Sequence, residues 1–128
     1  MASQPFVSGR HAIEAYGRGG FRFAGMSHVG SILAMPSGVS GLAAATIAEV
    51  DEAALAPLLA EIKAAPGAIE LLIVGVGEKM ARLPDSLARR LRAAGLRFET
   101  MATGPAARVY NVLVEEDRRV AALLIAVE

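Results

Sequence analysis

Two short stretches of this chain hold the residue types and spacings best suited to chemistry. The first is Gly75-Val76-Gly77, which ends an almost continuous apolar run, Ile69-Glu70-Leu71-Leu72-Ile73-Val74. A strand that leaves through a glycine turn into a helix can cradle a phosphate, because the backbone approaches closely and free helix N–H groups favour an anion. The dinucleotide pattern asks for a third glycine at position 80, which is Met80. Its ribose-binding acid has only Glu99 as a loose substitute, since Glu70 precedes the turn. A tight strand exit is the simpler reading of these glycines.

The second stretch is Thr103-Gly104, followed by Arg108, Tyr110 and Asn111. A threonine and glycine opening a helix offer a hydroxyl and free N–H groups to a small anion, although helix capping accounts for Thr103 equally well. Tyr110 then reads as a packed ring and Asn111 as a partner for backbone, unless the Arg, Tyr and Asn together hold a ligand. Both stretches follow strands, so both fall on the carboxyl edge of a parallel sheet, where α/β proteins bind ligands. Gly75, Gly77, Thr103, Gly104, Arg108, Tyr110 and Asn111 are therefore the candidate ligand-binding residues. No catalytic residue, metal or cofactor is expected.

Other chemistry is poorly served. Ser27 and His28 are adjacent, and neighbours on an extended strand point to opposite faces, so they do not make a nucleophile and base. His11 and His28 lack the helical spacing of a metal pair. Cysteine is absent, which removes disulfides, thiolate nucleophiles and zinc–thiolate sites. Asp117-Arg118-Arg119 reads as a solvated turn.

The elements that must position these groups follow from periodicity. His11 to Tyr16 alternates, Gly17-Arg18-Gly19-Gly20 is a turn, and Phe21-Arg22-Phe23 alternates again, which predicts a hairpin. Gly30 to Met35 predicts a strand, Pro36-Ser37-Gly38 a turn, and Val39 to Ala45 a further strand. Residues 51–64 read as a helix with Asp51 as N-cap and Leu55, Leu58, Leu59 and Ile62 as its apolar stripe. Pro57 either kinks that helix or sets its start near residue 56. Strand 69–74 is apolar throughout, as a central parallel strand buried on both faces should be. A helix starting at Leu83-Pro84-Asp85 and capped by Gly95, a strand from Leu96 to Met101, a helix over about 100–114, and a strand from Val120 to Val127 complete the second half. That strand–helix–strand–helix–strand order is the plan of a parallel sheet wrapped by helices.

Composition bounds the rest. A chain of 128 residues is expected to form one domain, with residues 8–127 as its core. Hydrophobic residues make up 54% and mean hydropathy is +0.45, which suits a sheet covered on both faces or a surface buried against a partner. Thirteen basic and thirteen acidic residues cancel, and aromatic residues are few, so nucleic-acid binding is not expected. Apolar runs fall short of a spanning helix, and Met1-Ala2-Ser3-Gln4-Pro5 does not begin as a signal peptide does. The expected location is the cytoplasm.

At Gly30-Ser31-Ile32-Leu33, at Leu71 to Gly77, and from Met101 through Thr103-Gly104 to Tyr110-Asn111 and Leu113, the chain resembles the Mth938-like family. The resemblance runs over residues 8–127. It implies a three-layer α/β fold, with a mixed or parallel central sheet flanked by helices and an N-terminal β-hairpin layer. The family pattern reads Gly-Thr-Gly and Asp-Thr-Gly-Ala where this chain has Gly75-Val76-Gly77 and Ala102-Thr103-Gly104-Pro105, so a hydroxyl and a carboxylate are missing from the sheet edge. Its eukaryotic members include a mitochondrial assembly factor for respiratory complex I. The family carries over no catalytic activity, cofactor or metal.

The resulting expectation is a non-enzymatic interaction or scaffold protein assisting assembly of respiratory complex I. The alternative is a small-molecule domain, for an anion or nucleotide-like ligand, or a cryptic enzyme using the sheet edge. Expected partners are proteins, among them respiratory-complex subunits or assembly factors. Peripheral membrane association and a homo-oligomer both fit the apolar surplus.

Overall fold

Apolar residues on both sides of the strands dictate a sheet that must be covered twice. The computed structural model describes residues 6–128, so the reading of Met1 to Pro5 lies outside the described residues. In chain order the strands are β1 (Phe6–Ser8), β2 (Ala15–Gly17), β3 (Gly20–Phe23), β4 (Met26–Val29), β5 (Ser31–Met35) and β6 (Gly38–Leu42). Then come α1 (Ala56–Ala64), β7 (Leu71–Gly75), α2 (Asp85–Ala93), β8 (Arg97–Met101), α3 (Thr103–Glu115) and β9 (Val120–Leu124). Six strands make the large sheet in the order β1-β6-β5-β9-β7-β8, and β2-β3-β4 make a small antiparallel one.

The central strands β5, β9 and β7 feed two cores by alternation. Leu33, Leu72, Val74 and Leu123 point to one face, where Leu58 of α1 and Leu87 and Leu91 of α2 cover them. Ile32, Ile73, Ala122 and Leu124 point to the other, against Phe21 and Phe23 of β3 and Ala106, Ala107 and Tyr110 of α3. The molecule is thus three-layered: helices, sheet, then a layer shared by α3 and the small sheet. Full burial of each such Leu or Ile contributes about 1.5–3 kcal/mol relative to exposure.

The sheet is mixed rather than wholly parallel. β7 runs parallel to β8 and to β9, while β9 meets β5 antiparallel through Ile32–Leu124, Leu33–Leu123 and Ala34–Ala122. β9 is buried along all five residues, so both of its edges need a ladder. The N-terminal meander supplies the second one through β5. The hairpin predicted over residues 11–23 forms as β2–β3, and Met26–Val29 adds a third strand. β6 stops at Leu42, because Ala44 N–H turns back to the Leu42 carbonyl.

Pro57 falls in the first turn of α1, where its missing N–H is harmless, and Glu52–Leu55 forms a separate 3-10 turn capped by the Asp51 carboxylate at 3.0 Å from Ala54 N. α3 begins at Thr103, two residues beyond the end of β8. The last strand ends at Leu124 rather than Val127, although Ile125 N–H still donates to Gly75 O at 2.9 Å.

Candidate functional site

The carboxyl ends of β7 and β8 meet the start of α3, as their sequence order requires. Val76 N–H donates to Met101 O (2.9 Å), and Thr103 N–H donates to Gly77 O (2.8 Å). The Thr103 hydroxyl is fully buried, donates to Ile125 O at 2.7 Å and accepts Gly77 N–H at 3.0 Å. Both its donor and an acceptor site are therefore engaged within the chain. Ser31, the other buried polar side chain among the described residues, does the matching work: its hydroxyl donates to Ala44 O at 2.7 Å and accepts Ala126 N–H at 2.9 Å. Two buried hydroxyls thus clasp one peptide unit, the carbonyl of Ile125 and the N–H of Ala126, from opposite sides. This holds the chain where it leaves β9.

The glycines have distinct reasons. A Cβ on Gly75 would lie 2.9 Å from Leu124 Cδ2, 3.0 Å from Thr103 Cα and 3.1 Å from Ala106 Cβ, so this position needs close packing of strand against helix. Gly77 has φ +122°, a conformation that L side chains rarely adopt, and open space around it. At Gly104 a Cβ would stand 2.8 Å from the phenol oxygen of Tyr16. That phenol reaches over from β2 to cover the first turn of α3 and accepts a hydrogen bond from Arg108 Nη1 at 3.0 Å. With Thr103 N–H engaged and Pro105 lacking one, little of the helix N-terminus is open to a ligand.

Tyr110 and Asn111 lie further along α3 and face the N-terminal segment instead. Asn111 accepts Ile13 N–H at Oδ1 (2.7 Å) and donates from Nδ2 to Ile13 O (2.8 Å), pairing like one rung of a ladder with a segment that has no strand partner there. The buried Tyr110 hydroxyl donates to His11 O at 3.3 Å, and burial pushes its pKa up to about 12 against the opposing charge of Arg10. Gly75, Gly77, Thr103, Gly104 and Arg108 are therefore gathered at one sheet end. Tyr110 and Asn111 fasten the meander to α3.

His28 Nε2 lies 3.3 Å from Ser31 O, and Ser27 Oγ accepts from Arg22 Nη1 at 3.2 Å, so this adjacent pair turns to different partners. Glu70 meets Arg118 Nε at 2.8 Å and Arg119 Nη2 at 3.0 Å; these bonds, Arg118 first, hold its carboxyl below the ordinary range. Asp117 meets Arg10. Among the described residues, no three His, Asp or Glu side chains gather as a metal site would need, and no helix is long and apolar enough to cross a membrane.

An apolar cleft opens elsewhere, where β4 overhangs β1 and β6. It measures about 390 Å³ and is lined by Val7, Phe23, Met26, His28, Val29 and Val39, with Ser27 and Gly41. Phe23 and Val39 belong to the second core, so the cleft is that core left open on one side. Met26 is 47% and Val29 87% exposed at its lip. Gly30 N–H donates to Gly19 O, which by alternation puts Phe21–His28 and Phe23–Met26 in the hydrogen-bonded positions of β3–β4. The peptide groups of Ser27 and Val29 then face the free edge. Sequence reasoning missed β4 because four residues between Gly25 and Gly30, one of them His28, show little apolar alternation.

Comparison with known proteins places this geometry. An uncharacterized protein of Rhodobacter capsulatus is 38% identical over 122 residues, covering 95% of this chain and 90% of its own. A crystal structure described as an outer membrane protein from Bartonella henselae superposes with a TM-score of 0.86 at 45% identity, over 94% of this chain and 98% of that one. A Bordetella pertussis protein described as a Mth938-like domain gives 0.75 at 26% identity, over 90% and 85%. The NADH dehydrogenase [ubiquinone] 1 alpha subcomplex assembly factor 3 of Xenopus tropicalis is 39% identical over 57 residues, which is 44% of this chain and 31% of that protein. Residues 13–125 match the model of the family described as "Protein of unknown function (DUF498/DUF598)", and the chain belongs to that family, with a Mth938-like α/β fold.

Proposed function

We propose that this protein is a non-enzymatic assembly factor that holds an extended apolar segment of a respiratory-complex client. The observation that carries the reading is the open side of the second core: an apolar cleft beneath the free edge of β4, with Val29 almost wholly exposed. A free strand edge supplies main-chain hydrogen bonds to an extended peptide, and the cleft beside it accepts alternate side chains. A strand-like apolar segment of an unassembled subunit has that chemistry. The Xenopus relative, an assembly factor by name, supports the choice of client.

The polar groups of α3 favour the same reading from the other direction. Thr103, Tyr110 and Asn111 spend their hydrogen-bonding groups on Ile125, His11 and Ile13. Little of that site is left over for acid–base work.

The test is genetic and chemical together. Deleting the gene should lower the assembled respiratory complex on a native gel, and the intact chain should restore it. V29D, which puts a charge on the cleft lip without touching a buried side chain, should fold normally and fail to restore it. A photo-crosslinker at Met26 should capture a respiratory subunit or assembly factor, identified by mass spectrometry. Unchanged assembly after deletion would overturn the proposal.

A further inference from the structure

The other end of the large sheet finishes in a second free strand edge. β8 is the edge strand there and pairs with β7 alone. Val76 N–H donates to Met101 O, so by alternation the peptide groups of Arg97, Glu99 and Met101 face β7, and those of Phe98 and Thr100 face outward. Among the described residues β8, at five, is the longest free edge; β1 and β2 have three residues and β4 four. Natural edges are blunted by proline, bulges, shortness or charged side chains. β8 has no proline, pairs with β7 without a bulge, and carries charges of both signs, which can attract as well as repel a second edge. Its exposed charges alternate in sign, Arg97 then Glu99, and among the described residues neither takes part in an ion pair.

We infer that β8 pairs with β8 of a second copy of this chain, antiparallel about a two-fold axis through Phe98, making one continuous sheet across a dimer. Two arguments select that occupant and that register. A two-fold antiparallel pairing must set outward-facing peptide groups opposite each other, so the axis passes through a residue and not between two; centring on Arg97 or Glu99 would set that charge against its own copy. Centring on Thr100 would set Glu99 against the partner's Met101. Centring on Phe98 sets Arg97 against the partner's Glu99 and Glu99 against the partner's Arg97. Directly opposed residues share a face, so both unpaired charges find a counter-charge twice over.

The hydrogen bonds fit the same register. Phe98 pairs with its own copy through N–H and C=O, and Thr100 N–H meets the partner's Leu96 carbonyl. Leu96 N–H is already spent on Leu91 O, so about four inter-chain bonds form. A shallow depression of about 450 Å³, lined by Arg92, Gly95, Leu96, Arg97 and Phe98, lies at the start of β8 where the partner's Glu99 and Thr100 arrive. Its basic lining matches that carboxylate.

The test is a charge swap read by sedimentation equilibrium across concentration. The unmodified chain should be a reversible dimer. E99R sets Arg against Arg, R97E sets Glu against Glu, and each should raise the dimer dissociation constant by roughly tenfold or more, since two cross-strand attractions become repulsions. R97E/E99R together restore opposite charges and should restore the dimer, an outcome that no non-specific association reproduces. Hydrogen exchange should show the Phe98 and Thr100 amides protected only at dimer concentrations. A chain that stays monomeric at every concentration overturns the inference. So does a dimer indifferent to the single reversals or not rescued by the double one.

Discussion

Replacing Thr103 by valine removes one hydroxyl from the fold while keeping its shape. Thr103 is fully buried, and its Oγ1 links Ile125 O at 2.7 Å with Gly77 N at 3.0 Å. The valine methyl leaves the Ile125 carbonyl buried without its donor, which costs about 1–3 kcal/mol. Gly77 is half-buried, so water can take over its N–H at a smaller cost. Gaining a buried methyl offsets about 1 kcal/mol. The net loss is about 2 kcal/mol, which for a chain of this length lowers Tm by roughly 7 °C at about 2 cal/mol/K of unfolding entropy per residue. T103S makes the opposite change: it keeps both hydrogen bonds and loses a methyl, costing about 1 kcal/mol. Urea unfolding followed by far-UV circular dichroism should rank the native chain above T103S, and T103S above T103V. A T103V chain as stable as the native one would refute the clasp, and would free the hydroxyl for a role in binding.

Other consequences of the same geometry can be measured. N111A removes both hydrogen bonds to Ile13 and should cost about 2 kcal/mol, with faster hydrogen exchange at residues 11–13; unchanged exchange there would contradict the fastening. Tyr110 has a folded pKa raised to about 12 from 10.0, so its contribution is complete below pH 10 and is lost as pH rises through 12. The chain should lose about 2–3 kcal/mol across that interval, and Y110F should lose less; equal alkaline loss in both would show another group responsible. G75A forces a Cβ against Leu124, Thr103 and Ala106 and should cost about 1–3 kcal/mol, whereas a chain unaffected by G75A would mean that α3 shifts freely on β7.

The second half of the chain was legible because its signals are local. An apolar run from Ile69, Leu83-Pro84-Asp85 opening a helix, Gly95 closing it with φ +74°, and Thr103 starting α3 each depend on a few neighbouring residues. Helix capping, proline geometry and hydrophobic period act at that range, so those elements form about where the pattern puts them. β4 was not legible, because its register comes from pairing with β3 rather than from its own residues. The strand over Gly30 to Met35 was legible, but not its antiparallel pairing with β9, which joins residues about ninety apart in sequence.

Residue types alone established which side chains stand near the ends of β7 and β8, but not what those side chains do there. Thr103 could cap a helix, bind an anion or clasp another strand, and each use needs only a hydroxyl at a helix start. The choice depends on which unpaired backbone group arrives beside it, and that group, the Ile125 carbonyl, is brought by the packing of β9. Arg108 meeting Tyr16, Asn111 meeting Ile13 and the open cleft under β4 are decided in the same way. Local sequence determines the elements because their forces are local. The contacts that turn candidate residues into clasps exist only once distant segments have been brought together.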